Sequence, residues 1–258
     1  MAYERIRINT TTPVARLTMS WPEKRNALSV HMMAEITSAL KELSSNPEVR
    51  AIILGAEGPA FSAGHYLPEM VDKDINHQRF VFGTCVEMME TVQGIPEPVI
   101  AEVPGIATAA GCQLVATCDL AVASDQARFA TPGVKIGLFC TTPMVALSRA
   151  VGRKRAMQML LTGELVDAAT ASEWGLVNFV VPGDKLHDET EALGRKVADS
   201  SSLVVALGKQ AFYTQIDLDQ RKAYDYAKEV MSMNAMALDA QEGMTAFLEK
   251  RKPCWVGK

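Results

Sequence analysis

Two compact apolar runs, Val49 to Leu54 and Val99 to Val103, each lead within a few residues into a stretch built almost wholly of small side chains. The first run reaches Phe61-Ser62-Ala63-Gly64-His65. The second reaches Gly105-Ile106-Ala107-Thr108-Ala109-Ala110-Gly111-Cys112-Gln113. Short aliphatic and β-branched runs bounded by Gly and Pro read as strands buried on both faces. A small-residue loop just past each strand, with helical spacing after it, predicts an α/β fold around a largely buried sheet.

The rest of the chain fits that alternation. Residues 3–20 alternate around a Thr-Thr-Thr-Pro turn as a hairpin would, and residues 21–26 read as a loop. Ser29 is positioned to cap a helix over residues 29–43, which stops before Asn46-Pro47. Helical spacing returns over 79–93, 108–117, 138–151, 153–162 and 168–174, with strands at 120–123, 128–130 and 177–181 between and after them. After Gly183 the pattern changes to helices at 186–200, 202–216 and 219–248. The organisation is therefore an α/β core over residues 1–185 and a C-terminal helical subdomain over 186–258. The methionines of that subdomain, Met231, Met233, Met236 and Met244, read as core or subunit packing.

Composition removes several function classes. With 48% apolar residues in 258, the chain can bury a sizeable core as one large domain or two small ones. A net charge of −4 gives no electrostatic footprint for nucleic acid, and the basic clusters Lys24-Arg25 and Lys250-Arg251-Lys252 read as anion contacts or solvated surface. The five cysteines are odd in number and form no Cys-x-x-Cys pair, which argues against a disulfide framework and a zinc site; no metal is expected. A reducing compartment fits this cysteine usage. No leader pattern opens the sequence and no apolar run is long enough to span a membrane, so the expectation is a soluble cytoplasmic protein.

The chemistry lies in the two small-residue stretches. A thioester or ester carbonyl that develops negative charge needs two fixed donors, and backbone N–H groups supply them at positions set by the fold. In the second stretch those donors stand at a helix N-terminus, where free N–H groups and the macrodipole both favour an anion. Ala109, Ala110 and Gly111 are small enough for a substrate to approach.

In order and spacing these stretches resemble the crotonase (enoyl-CoA hydratase/isomerase) superfamily. The likeness runs along nearly the whole chain, through Lys24-Arg25-Asn26-Ala27-Leu28, Phe61-Ser62-Ala63-Gly64, Val103-Pro104-Gly105 to Cys118-Asp119, Leu161-Thr162-Gly163-Glu164, Trp174-Gly175-Leu176-Val177 and Glu242 to Pro253. Ala107 to Gln113, Phe129-Ala130-Thr131-Pro132-Gly133 and Gly137-Leu138-Phe139-Cys140 look like the branch of enoyl-CoA hydratase domain-containing protein 3. The resemblance implies a spiral of ββα units, a C-terminal helical trimerisation region, and a homotrimer or dimer of trimers acting on acyl-CoA in fatty-acid metabolism. Coenzyme A would arrive as part of the substrate, with no tightly bound cofactor. The resemblance further implies an oxyanion hole from the N–H groups of His65 and Ala110. Coenzyme A contacts would come from Lys24 or Arg25, Ala27, Ser62, Ala63, Phe247 and Lys250. Apart from the likeness, Phe247 reads equally as packing and Lys250 as a solvated charge.

By the same likeness, the two glutamates that hold and deprotonate water in typical hydratases of the family fall on Gln113 and Gly133. Gln113 can hold a hydrogen bond but exchanges no proton at neutral pH, and Gly133 has no side chain. His65 has the pKa range for a replacement acid or base, although its backbone alone can be what matters. Cys140 stands in a loop where other branches carry a catalytic aspartate; here it reads as a small buried residue. Glu69, Asp72 and His77 can face either the acyl pocket or water. The expected function is an acyl-CoA enzyme of the hydratase/isomerase type. Decarboxylation or thioester hydrolysis on the same scaffold, and a weakly catalytic CoA-binding regulator, are the alternatives. Supplying both carboxylates, by Gln113→Glu with Gly133→Glu, is expected to raise hydration.

Overall fold

Strands β1 (Ile6–Asn9) and β2 (Val14–Met19) form the N-terminal hairpin, with Ile6 opposite Met19 and Ile8 opposite Leu17. In this computed structural model, which describes residues 3–258, helix α1 (Val30–Ser44) follows, and the Ser29 hydroxyl caps it by accepting from the Met32 N–H at 3.1 Å. Its apolar stripe, Met32, Met33, Ile36, Leu40 and Leu43, is buried as the spacing predicts. Strand β3 (Ala51–Ala56) lies parallel to β2 and begins two residues after the apolar run does. Val49 is buried but its N–H closes a turn onto the Asn46 carbonyl, whereas Gly55 and Ala56 pair with Thr18 and Met19. Hydrophobicity reports burial; strand membership is decided by the neighbour.

From β3 onward the chain repeats one path three times. A strand enters a first sheet, a three-residue strand enters a second, and a helix follows. The units are β3, β4 (Ala60–Ser62) and α2 (Ile75–Gly94); β5 (Val99–Val103), β6 (Ile106–Thr108) and α3 (Ala110–Thr117); then β7 (Leu120–Ser124), β8 (Arg128–Ala130) and α4 (Pro143–Val151). Helices α5 (Arg153–Thr162) and α6 (Ala168–Trp174), with β9 (Val166–Asp167) between them and β10 (Phe179–Val181) after, complete both sheets. The six-stranded sheet runs β1-β2-β3-β5-β7-β10, parallel except for β1; the four-stranded sheet runs β4-β6-β8-β9, with only β9 antiparallel. This is the spiral of ββα units that the resemblance implied. The strands β4, β6 and β9 escape sequence reading because two or three residues carry no period.

Four expected boundaries move for local reasons. Helix α2 starts at Ile75, capped by the Asp74 carboxylate that accepts from the His77 N–H at 2.8 Å; the spacing misses this start because the first turn exposes Ile75 and breaks the apolar period. The expected helix over 138–151 begins only at Pro143, which needs no donor at that position; before it the Leu138 N–H turns back to the Gly133 carbonyl and the Thr141 N–H to the Phe139 carbonyl. The strand over 177–181 shortens to 179–181, since the Asn178 side chain takes the Ala121 N–H. The single helix over 219–248 is two, α9 (Gln220–Ala235) and α10 (Leu238–Glu249), parted where the Met236 and Ala237 N–H groups turn back to Met233 and Asn234.

Both faces of the first sheet are covered. Ile52, Leu54, Val99 and Ala101 face the main core, while their neighbours Ile53 and Ile100, with Val14 and Val122, pack under α7 (Leu186–Ala198) through Leu186 and Ala198. Helix α8 (Ser202–Gln215) is tied to the strand ends by Lys209, whose buried Nζ reaches the carbonyls of Val92 (2.8 Å) and Glu97 (2.9 Å) and the Asp119 carboxylate (2.8 Å). Asp119 also accepts from the Val99 N–H and the Tyr213 hydroxyl, which burial and Asp119 keep protonated. Buried Asp239 at the start of α10 accepts from Ser201 and from the N–H groups of Val256 and Gly257, holding the C-terminal residues against the helices. Met231, Met233, Met236 and Met244 are all exposed, so the core reading of that stripe is corrected: none is buried in one chain. No helix among the described residues is long and apolar enough to cross a membrane.

Candidate active site

The loop after β4 is fixed by Asn26 and Ser62, both fully buried. Asn26 accepts from the Trp21 N–H and donates to the carbonyls of Glu57 and Ala60. The Ser62 hydroxyl donates to the Asn26 carbonyl at 2.8 Å and accepts from the Gly64 N–H at 3.2 Å. Gly64 has φ +87°, a conformation a side chain would strain, and its carbonyl accepts from the Leu28 N–H. The next bond joins the Tyr66 N–H to the Leu28 carbonyl, so the His65 N–H between them is skipped.

The loop after β6 meets it. Ala109 caps α3 at φ 52°, ψ −120°, a region normally left to glycine that costs a non-glycine residue about 1–3 kcal/mol. The helix therefore starts at Ala110, not at Thr108, which is in β6; the Ala110 N–H is the first of the helix and has no acceptor within it. A Cβ placed on Gly64 would lie 2.8 Å from the Ala109 methyl and 3.1 Å from the Ala110 nitrogen. The two loops are thus in contact, which brings the residues that carry the His65 and Ala110 N–H groups to one seam. Neither has a partner among the loop and cap backbone hydrogen bonds of the described residues. Gly111 serves packing, since a Cβ there would fall 2.4 Å from the Ser62 carbonyl. Of the three small residues Ala109, Ala110 and Gly111, the first two line the hollow beside it.

That hollow has a volume of about 560 Å³. It is lined by Ala63, His65, Ala109 and Ala110 of the two loops, by Leu67 and Phe82, and by Pro132, Gly133 and residues 135–136 and 138–143. Among its described lining residues none is acidic, and Lys135 is the one with a fixed charge. A hollow of similar size between β10, α6 and α7 lacks the backbone donors.

His65 stands edge-on to Phe82 at 5.3 Å, with Nε2 buried and without a partner. Burial pulls its pKa down to about 4, so the ring is neutral at pH 7. Burial also raises the Cys140 thiol, which stays protonated. Gln113 is buried with Oε1 unpaired and is not among the lining residues. Gly133 is closed off: a Cβ there would lie 2.0 Å from the Leu138 carbonyl oxygen and 2.8 Å from the Cys140 sulfur. No side chain fits at 133 on this backbone. The expectation that two added carboxylates raise hydration is corrected accordingly.

The remaining expected residues divide. Lys24 and Arg25 are exposed, and the Arg25 carbonyl accepts from the Ala63 N–H at 3.0 Å, which brings the basic turn to the rim of the hollow. The side chains of Ala27 and Ser62 are buried, and neither lines the hollow. Phe247 and Lys250 are exposed at the end of α10, outside the hollow's lining in one chain. Glu69 accepts from the Val30 N–H, His77 bonds to the Glu69 carbonyl, and Asp72 is exposed; none lines the hollow. Sequence reasoning missed the walls themselves, Leu67, Phe82, Lys135, Ile136, Leu138 and Phe139. Their one signal is an apolar pair, Leu138-Phe139, in a segment too irregular to be core.

A family model described as enoyl-CoA hydratase/isomerase matches residues 9–258. The chain is 49% identical over 243 residues to enoyl-CoA hydratase domain-containing protein 3, mitochondrial, of Danio rerio, covering 94% of this chain and 84% of that protein. A crystal structure of an enoyl-CoA hydratase from Mycobacterium smegmatis matches with a TM-score of 0.95 and 48% identity, covering 98% of this chain and 99% of that one. Human enoyl coenzyme A hydratase domain-containing protein 3 matches with a TM-score of 0.95 and 46% identity, covering 98% and 100%.

Proposed function

The chain belongs to the enoyl-CoA hydratase/isomerase family, and on that premise we propose that it binds acyl-CoA and stabilises the thioester's enolate between the His65 and Ala110 N–H groups. One observation supports the reading: the His65 and Ala110 N–H groups have no loop or cap partner, they belong to two loops in contact, and both residues line one apolar hollow. Negative charge growing on the thioester oxygen would be met by both donors and by the N-terminus of α3, with no reorganisation needed at the moment of reaction. Lys24 and Arg25, at the Ala63 rim, are placed to meet the phosphates of coenzyme A; Phe247 and Lys250 would reach its nucleotide from a second chain. Assembly as a trimer or dimer of trimers belongs to the same proposal, supported by the exposed Met231, Met233, Met236, Phe247 and Leu248. So does a cytoplasmic, reducing setting, supported by five free cysteines; the Danio rerio relative is named mitochondrial, and fractionation decides between the two.

The neutral His65 imidazole is the group assigned to move the proton. It lines the hollow, its Nε2 has no internal partner, and it can accept a proton at pH 7, though as a weak base. A second reading is favoured by the closed space at Gly133: chemistry that needs the oxyanion hole but no paired carboxylates, such as thioester cleavage or loss of carbon dioxide from a carboxylated acyl group. The test is calorimetric binding of acyl-CoA followed by an acyl-CoA screen with product masses recorded. Binding is expected, and His65→Ala should lower hydration or isomerisation about 10²- to 10⁴-fold. Absence of acyl-CoA binding by the intact assembly would overturn the enzyme reading, and turnover unchanged in His65→Ala would remove His65 from it.

A further inference from the structure

We infer that Lys135 is a self-acylation site: its amine takes the acyl group from acyl-CoA seated in the hollow, giving an Nε-acyl-lysine and free coenzyme A. The inference rests on the acyl-CoA reading above, which places a thioester in the hollow that Lys135 also lines. The neutral Nζ attacks the thioester carbonyl carbon, so that a C–N bond forms and the C–S bond breaks. The electron pair of that bond leaves with sulfur, and the proton shed by nitrogen ends on the thiolate or on solvent. The step needs no oxidant, reductant or further reactant.

The chemistry of the lining singles this side chain out. Of the described lining residues, those able to attack a carbonyl are His65, Lys135, Cys140, Thr141 and Thr142. An acyl group on His65 or Cys140 stays activated and returns to a thiol or to water. The Thr141 hydroxyl is engaged with the Phe139 carbonyl, and a hydroxyl without a base beside it is a weak nucleophile. Lys135 alone gives an amide, which neither thiols nor water reverse at neutral pH.

Its setting holds the amine near the site and leaves it unengaged. Lys135 stands in the 3₁₀ turn Pro132–Ile136 just after β8, and that turn is closed by the Leu138 N–H on the Gly133 carbonyl at 3.0 Å. Its Cε lies 3.2 Å from where a Cβ on Gly163 would stand, so the stem is braced on the end of α5. No carboxylate among the described lining residues is there to pair with it, and the side chain is exposed, so its proton exchanges with water. An amine and a thioester held in one site meet at effective concentrations far above those of the free reactants. Backbone donors aimed at an enolate oxygen would equally meet the oxyanion of amine attack. Acylation removes the one fixed charge of the lining and leaves the acyl group in the hollow, so the modified protein should bind further acyl-CoA less well.

The test is incubation of the full chain with butyryl-CoA at pH 8, with occupancy at each lysine read by peptide mass spectrometry and binding followed in parallel by calorimetry. Lys135 should be butyrylated at least about tenfold faster than the exposed Lys154 and Lys185. Its rate should saturate with butyryl-CoA, fall when free coenzyme A is added, and be higher at pH 9 than at pH 7, because only the neutral amine attacks. Butyryl N-acetylcysteamine, which carries the thioester without the nucleotide, should show no preference for Lys135. If butyryl-CoA binds and Lys135 reacts no faster than Lys154 and Lys185, or if the truncated thioester prefers Lys135 equally, the inference is overturned and the acyl-CoA reading stands. No binding of butyryl-CoA would remove that reading, and this inference with it.

Discussion

Replacing Gly133 by alanine adds one carbon at the point where the structure has least room for it. The new Cβ would lie 2.0 Å from the Leu138 oxygen and 2.8 Å from the Cys140 sulfur, where ordinary contact begins near 3.4 Å. The Leu138 peptide would have to retreat by 1.4 Å, the difference of those two carbon–oxygen distances. That retreat strains the Leu138 to Gly133 hydrogen bond as well. Overpacking a well-packed site costs about 1–3 kcal/mol, and a collision with backbone belongs at the upper end. A loss of about 3 kcal/mol corresponds, for a chain of this length, to a melting point lower by about 6–12 °C. Gly83→Ala is the matched control: it lies within α2 with nothing within 4 Å of the added carbon, and should gain about 0.5–1 kcal/mol. Both variants are compared by urea unfolding with the m-value recorded, and by scanning calorimetry. Gly133→Glu, alone or with Gln113→Glu, should be at least as unstable as the alanine and gain no hydratase activity. If Gly133→Ala is as stable as Gly83→Ala, or the double glutamate hydrates crotonyl-CoA well, the closed space at 133 is refuted.

His65, depressed by burial to about 4, binds its proton more readily in the unfolded chain, so the stability linked to it is whole above pH 6.5 and drains as pH falls toward 4. The drain amounts to about 3 kcal/mol, and His65→Gln should flatten this part of the pH dependence in urea unfolding between pH 7 and 4; parallel curves for the two proteins would show a solvated ring. Lys209→Met leaves the Asp119 carboxylate buried with the Val99 N–H and Tyr213 hydroxyl but no cation, and should cost about 3–5 kcal/mol. A loss below about 1 kcal/mol would mean that water reaches the pair.

Much of this fold can be read along the chain wherever the pattern is local. The Ser29 cap, the stripe from Met32 to Leu43, the strand Val99–Val103 and the helix Arg153–Thr162 follow from periods and caps that a single segment contains. What fails is whatever depends on a neighbour in space. Strands β4 and β6 are three residues each, and they exist because each pairs with the other. Ala109 reads as part of the first turn of a helix over 108–117, whereas in the fold it is the cap, at φ 52°, in contact with Gly64 and bonded to the Ala130 carbonyl.

The candidate site divides along the same line. Its electrophilic half uses N–H groups that every residue but proline possesses, so the sequence can mark only that the surroundings are small and that a strand and a helix flank them. An acid–base half needs particular side chains, so the likeness to the family can point to positions in the sequence, here Gln113 and Gly133. The meaning of a missing side chain is not written there. An open space would await a water or a substituent from the ligand; a filled one reshapes the wall. Gly133 is filled, by a carbonyl five residues further on that no period or propensity announces. The absence of a side chain at 133 and the close approach of the Leu138 segment are therefore one structural event. A change of chemistry in this chain should accordingly be sought together with a change in the acyl group it admits.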